Sequence, residues 1–581
     1  MAAVNAAVPR GRVRRVNGPL VECEALGDPA VAELVALGER GIWGEVVAVS
    51  NGRVTVQAYE NTGGLAPGDP ARSLRRPLSA PLGPGLLGQV YDGLLRPLSA
   101  APEFLTGEMA GTADRTAGSC WFEARVRSGR RVTGGSVLGV LRGDGPLEHR
   151  VLVPPGVAGA VDSVAPDGAH PADATIASVG GTPVGLRTYW PVRSPRPAAA
   201  RVAAAQPLRT GQRVLDLMFP VALGGSAVVP GGFGTGKTVL LQQLAKWCDA
   251  DVIVYVGCGE RGNEMAEIVA EFSELDDPRT GGRLADRTVV IANTSNMPMM
   301  AREASIYTGV TVAEFYRDMG YAAVVIADST SRWAEALREF ASRSAELPAE
   351  EGYPPELASA LAAFYERSGV VTTPGGATGS VTLVGAVSPP GGDLTEPVTA
   401  FSERFVRCRW TLDRDLAYGR HYPAVSWSGS FSRDLDVVAA DHTRHGDVEW
   451  LRRRGRAADL LAESDRLGDL AELMGASALP GPERAVLLGG RLLREAVLQQ
   501  SARSATDAYC SEAKTAALTD AVLDVVEAGV QAVQTGLPAD VLEGADHAPL
   551  IRIRDETGPD DVDGVRERGG RALARVRELR A

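Results

Sequence analysis

The sequence predicts a multidomain α/β protein, and three observations carry that expectation. The first 75 or so residues alternate apolar and polar side chains: Val54, Val56 and Ala58 alternate with Thr55, Gln57 and Tyr59. Between residues 191 and 435, continuous apolar runs alternate with helical patterns, as in a parallel sheet covered on both faces. Beyond residue 436 the strand signals fade and helical periodicity remains.

Taken in order, residues 1–75 are expected to be all-β. Asn51-Gly52 lies between the run 45–49 and the run 54–58, which signals a hairpin. A Pro/Gly-rich connection follows at 81–88, within a linking stretch of 76–110. Residues 111–190 form a second β-like block, in which Gly and Pro punctuate short valine-rich runs such as VLVPPG at 151–156. The Pro/Arg-rich stretch 194–201 reads as a linker. In 191–435, the runs 251–256 and 322–327 read as buried parallel strands of a doubly wound domain. In 436–581, Leu492, Leu493, Ala496 and Val497, then Leu518, Val522, Val525 and Val526, have helical spacing that Gly529 is expected to weaken. The charged, Arg/Glu-rich stretch after about residue 553 reads as a solvated helix.

Composition sets limits. A chain of 581 residues is too long for one core, so about three or four domains are expected. A net charge of −12 argues against a broad nucleic-acid-binding surface. Six cysteines show no paired spacing, so no zinc or disulfide framework follows and a reducing cytoplasm is the default. The N-terminal stretch has no signal-peptide core, and no apolar run is long enough to span a bilayer.

The chemistry centres on GGFGTGKT at 231–238, that is Gly231, Gly232, Phe233, Gly234, Thr235, Gly236, Lys237 and Thr238. It fits the P-loop pattern, in which main-chain N–H groups cradle phosphates, the lysine reaches the β- and γ-phosphates and the hydroxyl ligates Mg²⁺. Apolar residues 227–229 precede it as a strand, and Val239, Leu240, Leu241 and Leu244 follow as a helix. The chain has only three lysines, Lys237, Lys246 and Lys514, and uses arginine almost everywhere else. One of them stands where a compact ammonium suits a phosphate cradle.

Three further elements complete a candidate nucleotide site. Asp328 ends the 322–327 run, where a carboxylate can hold Mg²⁺ through water or cap the next helix. Glu260 and Arg261, in GERGNE at 259–264, can orient the attacking water and steady γ-phosphate charge, or form a polar helix-capping turn. Phe219-Pro220 and Tyr422-Pro423 are candidates for stacking on the base, or for the core.

With these residues in place, the chain resembles the catalytic A subunits of the V-type/A-type rotary ATPases. The resemblance runs over nearly the whole length: GGFGTGKT, CGERGNEM at 258–265, NTSNMP at 293–298, ADSTSRWAEALRE at 327–339, AEEGYPPELA at 349–358, VGAVSPPGGDLTEPVT at 384–399 and DAYC at 507–510. It implies an N-terminal β-barrel, a β-rich bulge insertion at 111–190, a RecA-like P-loop domain and a C-terminal helical bundle. It also implies an ATP-driven motor coupled to proton or sodium-ion transport, cytoplasmic and peripheral to the membrane. In such a motor A-type subunits alternate with B-type subunits in an A3B3 ring, with central and peripheral stalks, a membrane ion-translocating sector and no nucleic acid.

ATP or ADP and Mg²⁺ are the implied ligands. Residues 231–239 would hold phosphates, with Thr238 and Asp328 serving the metal, Glu260 activating water and Arg261 meeting the γ-phosphate. Where the family reads QQNAF, this chain has QQSAR at 499–503. Gln500, Ala502 and Arg503 are therefore placed at the adenine, with Arg503 replacing the enclosing phenylalanine. Three other readings remain: an RNA-translocating hexameric ATPase, which needs a basic aromatic-lined path, a non-catalytic ring subunit, which usually lacks the P-loop lysine or the activating glutamate, and a flagellar or secretion-type export ATPase, which should lack the 111–190 insertion.

Overall fold

The computed structural model describes residues 10–50, 52–98, 119–143, 146–277, 279–343 and 347–579. The chain divides into two compact units, Met1–Ala203 with Ala250–Ala386, and Ala204–Asp249 with Val387–Ala581.

The first unit begins with a closed six-stranded barrel, in the order Arg10–Asn17, Leu20–Glu24, Arg53–Ala58, Ile42–Ser50, Glu33–Leu37 and Pro70–Pro77. Closure leaves no unpaired edge. Val13, Val21, Val35, Val46, Val54 and Val56 fill its core, so the alternating valines of the sequence face inward. The expected hairpin forms, with Ser50 paired to Arg53; Asn51 itself lies outside the described residues.

The block expected at 111–190 is β-rich from residue 119 onward, and residues 111–118 lie outside the description. It holds two four-stranded antiparallel sheets. Val132, Leu138, Val153 and Val179 form one core, and Phe122, Leu141, Val151 and Ile176 the other. After the block, Thr188–Pro191 pairs antiparallel with Ser79–Leu82. A separate tie joins it to the turn at 373–377, where a Cβ built on Gly375 would lie 2.1 Å from the Gly135 carbonyl oxygen. Arg150 Nη1 also donates to the Met319 carbonyl (2.6 Å), and Tyr321 OH to that of Glu148 (2.6 Å).

The parallel sheet of this unit runs Val90–Tyr91, Thr288–Asn293, Val252–Cys258, Ala322–Asp328, Thr378–Val387. Gly369–Thr372 and Ala200–Val202 extend it antiparallel. Val252–Cys258 is buried throughout, as its apolar run requires. The helix Met299–Asp318 is buried along nearly its whole length, and its carboxylates are therefore paired. Glu303 meets Arg193 (2.5 Å), Glu314 meets Arg367 (2.6 Å) and Asp318 meets Arg196 (2.7 Å). This corrects the expected linker at 194–201. Arg196 is buried in an ion pair, and Ala200–Val202 is a strand.

In the second unit, Ser226–Pro230 pairs parallel with Cys408–Arg409, which pairs antiparallel with Phe431–Ser432. The helix Lys237–Trp247 follows the first of these strands. The helical end includes Leu435–Arg444, Trp450–Met474, Gly481–Leu493, Glu512–Gln534 and Val562–Glu578. Gly529 does not weaken the fourth of these, which runs five residues past it. A Cβ there would lie 3.1 Å from Leu542 Cδ2, so the glycine lets the helix Ala539–Gly544 pack closely. The charged tail is helical and buries Val565, Gly569 and Val576. It is amphipathic rather than solvated on all sides.

Gly375→Ala is expected to cost roughly 1–3 kcal/mol by overpacking backbone against backbone. Calorimetry should show a lowered unfolding midpoint for the variant.

Candidate functional site

In the second unit, the buried strand Ser226–Pro230 delivers the chain into the 231–236 turn and then into the helix Lys237–Trp247. Gly231 N–H donates to the Val387 carbonyl (3.1 Å). A Cβ at Gly231 would lie 2.8 Å from Thr235 Oγ1 and 2.9 Å from Leu412 Cβ, so a side chain has no room. Gly234 and Gly236 hold φ of +80° and +83°, which favours glycine. At Gly232 and Gly234 a Cβ would meet nothing within 4 Å, so the outer face of the turn is open. Among the described residues, no side chain caps the helix and no acidic residue stands in its first turn. Its first N–H groups suit an anion.

Lys237 Nζ lies along the turn, donating to the Val387 carbonyl (3.2 Å) and the Ser388 hydroxyl, with the Gly231 carbonyl at 3.5 Å. Thr235 Oγ1 donates to the Gly232 carbonyl (2.8 Å). Thr238 is half-buried, Val239 is exposed, and Phe233 is 96% exposed on the turn. The Tyr422 ring stands over Gly236, 3.2 Å from where a Cβ would be. Tyr422 is 41% exposed and offers a face.

The base-side candidates divide. Phe219 is 3% exposed and sits in the core, and its carbonyl accepts from Trp410 Nε1. It presents no face for stacking, a correction to the expectation. Gln500 is also buried. Its Oε1 accepts from Arg213 N–H (2.8 Å), and its Nε2 donates to the Gly211 carbonyl (2.8 Å). This side-chain amide is committed to the protein rather than to a base, a second correction. The backbone does bring this turn to Tyr422, because Gln500 N–H donates to the Tyr422 carbonyl (2.8 Å). Ala502 is half-buried and Arg503 exposed.

The sequence reading missed Arg213. Fully buried, it donates to the carbonyls of Val497 and Gln499 (2.6 Å each) and pairs with Asp507 (2.6 Å). Asp507 in turn accepts from Ser501 N–H (2.7 Å). Asp507 belongs to the DAYC motif, the one local signal for this clamp.

In the first unit, Val252–Cys258 ends in the tight Gly259, with φ of +76°. A Cβ there would lie 2.6 Å from Arg332 Cβ. Gly259 N–H donates to the Asn293 carbonyl (2.7 Å), and Ser295 N–H to that of Glu260 (2.9 Å). These bonds lace the GERGNE turn to the NTSNMP loop. Arg332 is hydrogen-bonded to Glu335, which raises its pKa, and Glu260 adds to that rise as a further negative neighbour. Arg261 is largely exposed, 3.7 Å from Glu264.

Asp328 is 1% exposed, and its Oδ2 accepts from Tyr255 OH (3.1 Å). Burial and the Asp328 charge push the Tyr255 phenol well above its usual range, so it stays a neutral donor. Thr238 offers a hydroxyl oxygen, the donor type that suits a hard cation such as Mg²⁺ that keeps several waters. Among the described residues no group of three or more His, Cys, Asp or Glu forms a cage, and a magnesium ion held mainly by phosphates and water does not call for one.

Known proteins match the chain over most of its length. Residues 211–432 match the nucleotide-binding domain of the ATP synthase alpha/beta family, 13–75 its beta-barrel domain and 117–193 its barrel-sandwich domain. Residues 440–540 match the C-terminal domain of V and A type ATP synthase. The V-type ATP synthase alpha chain of Anaeromyxobacter dehalogenans is 50% identical, over 94% of this chain and 95% of that one. The chain belongs to the V/A-type ATP synthase alpha/A-chain family. Further members are the V-type alpha chain of Nitrosococcus oceani, 47% identical over 92% of each chain, and its A-type ATP synthase counterpart in Methanopyrus kandleri, 46% identical over 91% of this chain and 92% of that one. The fold is shared with the ATPase EscN of the enteropathogenic E. coli type III secretion system: TM-score 0.63, 21% identity, 88% of this chain and 100% of that one.

Removing the ammonium with Lys237→Ala is expected to weaken ATP binding roughly tenfold to a hundredfold, the scale of a charged hydrogen bond. Calorimetric titration with unchanged affinity would contradict the assignment. Arg213→Met leaves a buried carboxylate uncompensated, a loss of roughly 3–5 kcal/mol that denaturant unfolding should register.

Proposed function

We propose that this chain is the catalytic subunit of a V/A-type ATP synthase, hydrolysing or synthesising ATP. The observation that carries the reading is the glycine turn at 231–236, open on its outer face, with Lys237 beside it and an uncapped helix behind it. In this reading the N–H groups of 231–239 and Lys237 hold the triphosphate. Phosphoryl transfer needs positioning and charge neutralisation rather than covalent chemistry. Mg²⁺, when bound, neutralises phosphate charge; Thr238 would ligate it directly and Asp328 through water. Glu260 takes the proton of the attacking water, or orients it, and Arg261 steadies the γ-phosphate. Its large exposure leaves the Arg261 guanidinium able to swing to an incoming anion.

Tyr422, with the 499–503 turn tied to its carbonyl, would face the base. Arg503 supplies a guanidinium plane there. The chain would work in an alternating ring with B-type subunits, with stalk subunits and a membrane sector that moves the ion. No helix among the described residues is long and apolar enough to cross a membrane, and attachment would come through the rest of the complex. Retention of both Lys237 and Glu260 disfavours a purely structural role in the ring. The net charge of −12 disfavours RNA translocation.

In the assembled complex, Glu260→Gln is expected to lower kcat by about 10²–10⁴-fold, the range for a lost general base, with ATP binding retained. Hydrolysis at the parental rate would remove Glu260 from the mechanism.

A further inference from the structure

Lys514 is one of the three lysines in the chain, and the phosphate site does not account for it. It is fully buried, at 0% exposure. Its ammonium donates to three main-chain carbonyls: Thr557 (2.9 Å), Arg554 (3.0 Å) and Thr506 (3.3 Å). Among the described residues, no carboxylate lies within ion-pair distance of it.

The position is an expensive one for a cation. Lys514 stands in the first turn of the helix Glu512–Gln534, where its N–H is capped by Ser511 Oγ. The positive end of the helix dipole repels an ammonium there. Burial pulls its pKa down; Cys510, Asp507 and Asp555 oppose that in part, and nearby Arg213 adds to it. A buried cation with no direct ion-pair partner persists where its geometry is needed. That geometry explains the choice of lysine in an arginine-rich chain. Three carbonyls converging on one point fit a compact ammonium, whereas a guanidinium spreads its donors in a plane.

The three carbonyls belong to two segments. Thr506 lies in the 499–507 turn, which carries Gln500 and Arg503; Arg554 lies in the short helix Ile553–Glu556, and Thr557 caps its end. Other bonds join the same segments: Thr506 Oγ1 donates to the Asp555 carbonyl (2.8 Å), and Arg554 Nη1 to the Gln499 carbonyl (3.0 Å). From the opposite side Arg213 holds the turn through Asp507 and the Gln499 carbonyl. The turn then reaches Tyr422 through the Gln500 N–H.

We propose that Lys514 is a positioning residue for nucleotide selection: its ammonium pins the 499–507 turn to the 553–557 segment and so sets the place of Arg503 and Tyr422 against the base. This rests on the reading above that Tyr422 and the 499–503 turn face the base. It assigns the C-terminal segment a part in nucleotide affinity without contact to the nucleotide.

The test uses the complete complex and steady-state kinetics with ATP and GTP, alongside thermal unfolding. Lys514→Met is expected to raise KM for ATP about fivefold to tenfold, the scale of a lost charged hydrogen-bond tie, and to change the ATP-to-GTP preference, with kcat held within about twofold. Thr506→Val, which removes the hydroxyl's bonds to the Asp555 carbonyl and to Ser504 Oγ, should raise KM by about twofold in the same direction. Should Lys514→Met fail to assemble, Thr506→Val alone decides: an unchanged KM and preference overturns the proposal. A lowered unfolding midpoint for Lys514→Met with unchanged KM also overturns it. Tyr422→Ala separates the two levels. If it raises KM while the Lys514 and Thr506 variants do not, only the positioning role fails; if it leaves KM unchanged, the base-site reading fails with it.

Discussion

Main-chain N–H groups can all point at one anion only if the chain turns through backbone angles that side chains oppose. Gly234 and Gly236, with φ near +80°, satisfy that constraint, and Gly231 satisfies a second one by fitting against Thr235 and Leu412. The rest of the second unit follows from holding this turn still. The strand Ser226–Pro230 anchors its start, the helix Lys237–Trp247 its end, and the Val387 carbonyl joins the Gly231 N–H to the Lys237 ammonium. The lysine is thereby kept along the turn rather than loose in solvent.

The parts legible in the sequence are those whose signal is local. The P-loop is eight consecutive residues, and the strands Val252–Cys258 and Ala322–Asp328 are continuous apolar runs. Two kinds of feature were not legible. One depends on partners far apart in the chain: Arg213 meets Asp507 294 positions later. The other depends on exposure, which a dipeptide does not encode. Phe219-Pro220 and Tyr422-Pro423 read alike, yet the first aromatic is 3% exposed and the second 41%. Gln500 failed for a related reason, because its amide finds partners within the fold. The stretch 194–201 has the composition of a linker but is consumed by a salt bridge and a strand pairing.

Buried charge organises the first unit much as the glycine turn organises the second. The helix Met299–Asp318 lies inside the fold with Glu303, Glu314 and Asp318 on it. Each has an arginine from another segment, Arg193, Arg367 or Arg196. Such pairs contribute little net stability against a well-packed apolar alternative. They do penalise misplacement, since a shift of the helix would strand several charges at once. Glu303 and Arg193 carry this order on to Glu45 of the barrel, which Arg193 also meets at 2.6 Å. The barrel and the helix beside the sheet are thus registered by one guanidinium.

The β-rich insertion re-enters the first unit through Thr188–Pro191, paired with Ser79–Leu82. An excursion rooted only there would pivot. The Gly135–Gly375 contact, too close for a methyl group, and the bonds to Met319 and Glu148 supply support away from the root. An arm braced at more than one place is held as a bracket is, and turning it about its root would break those further contacts.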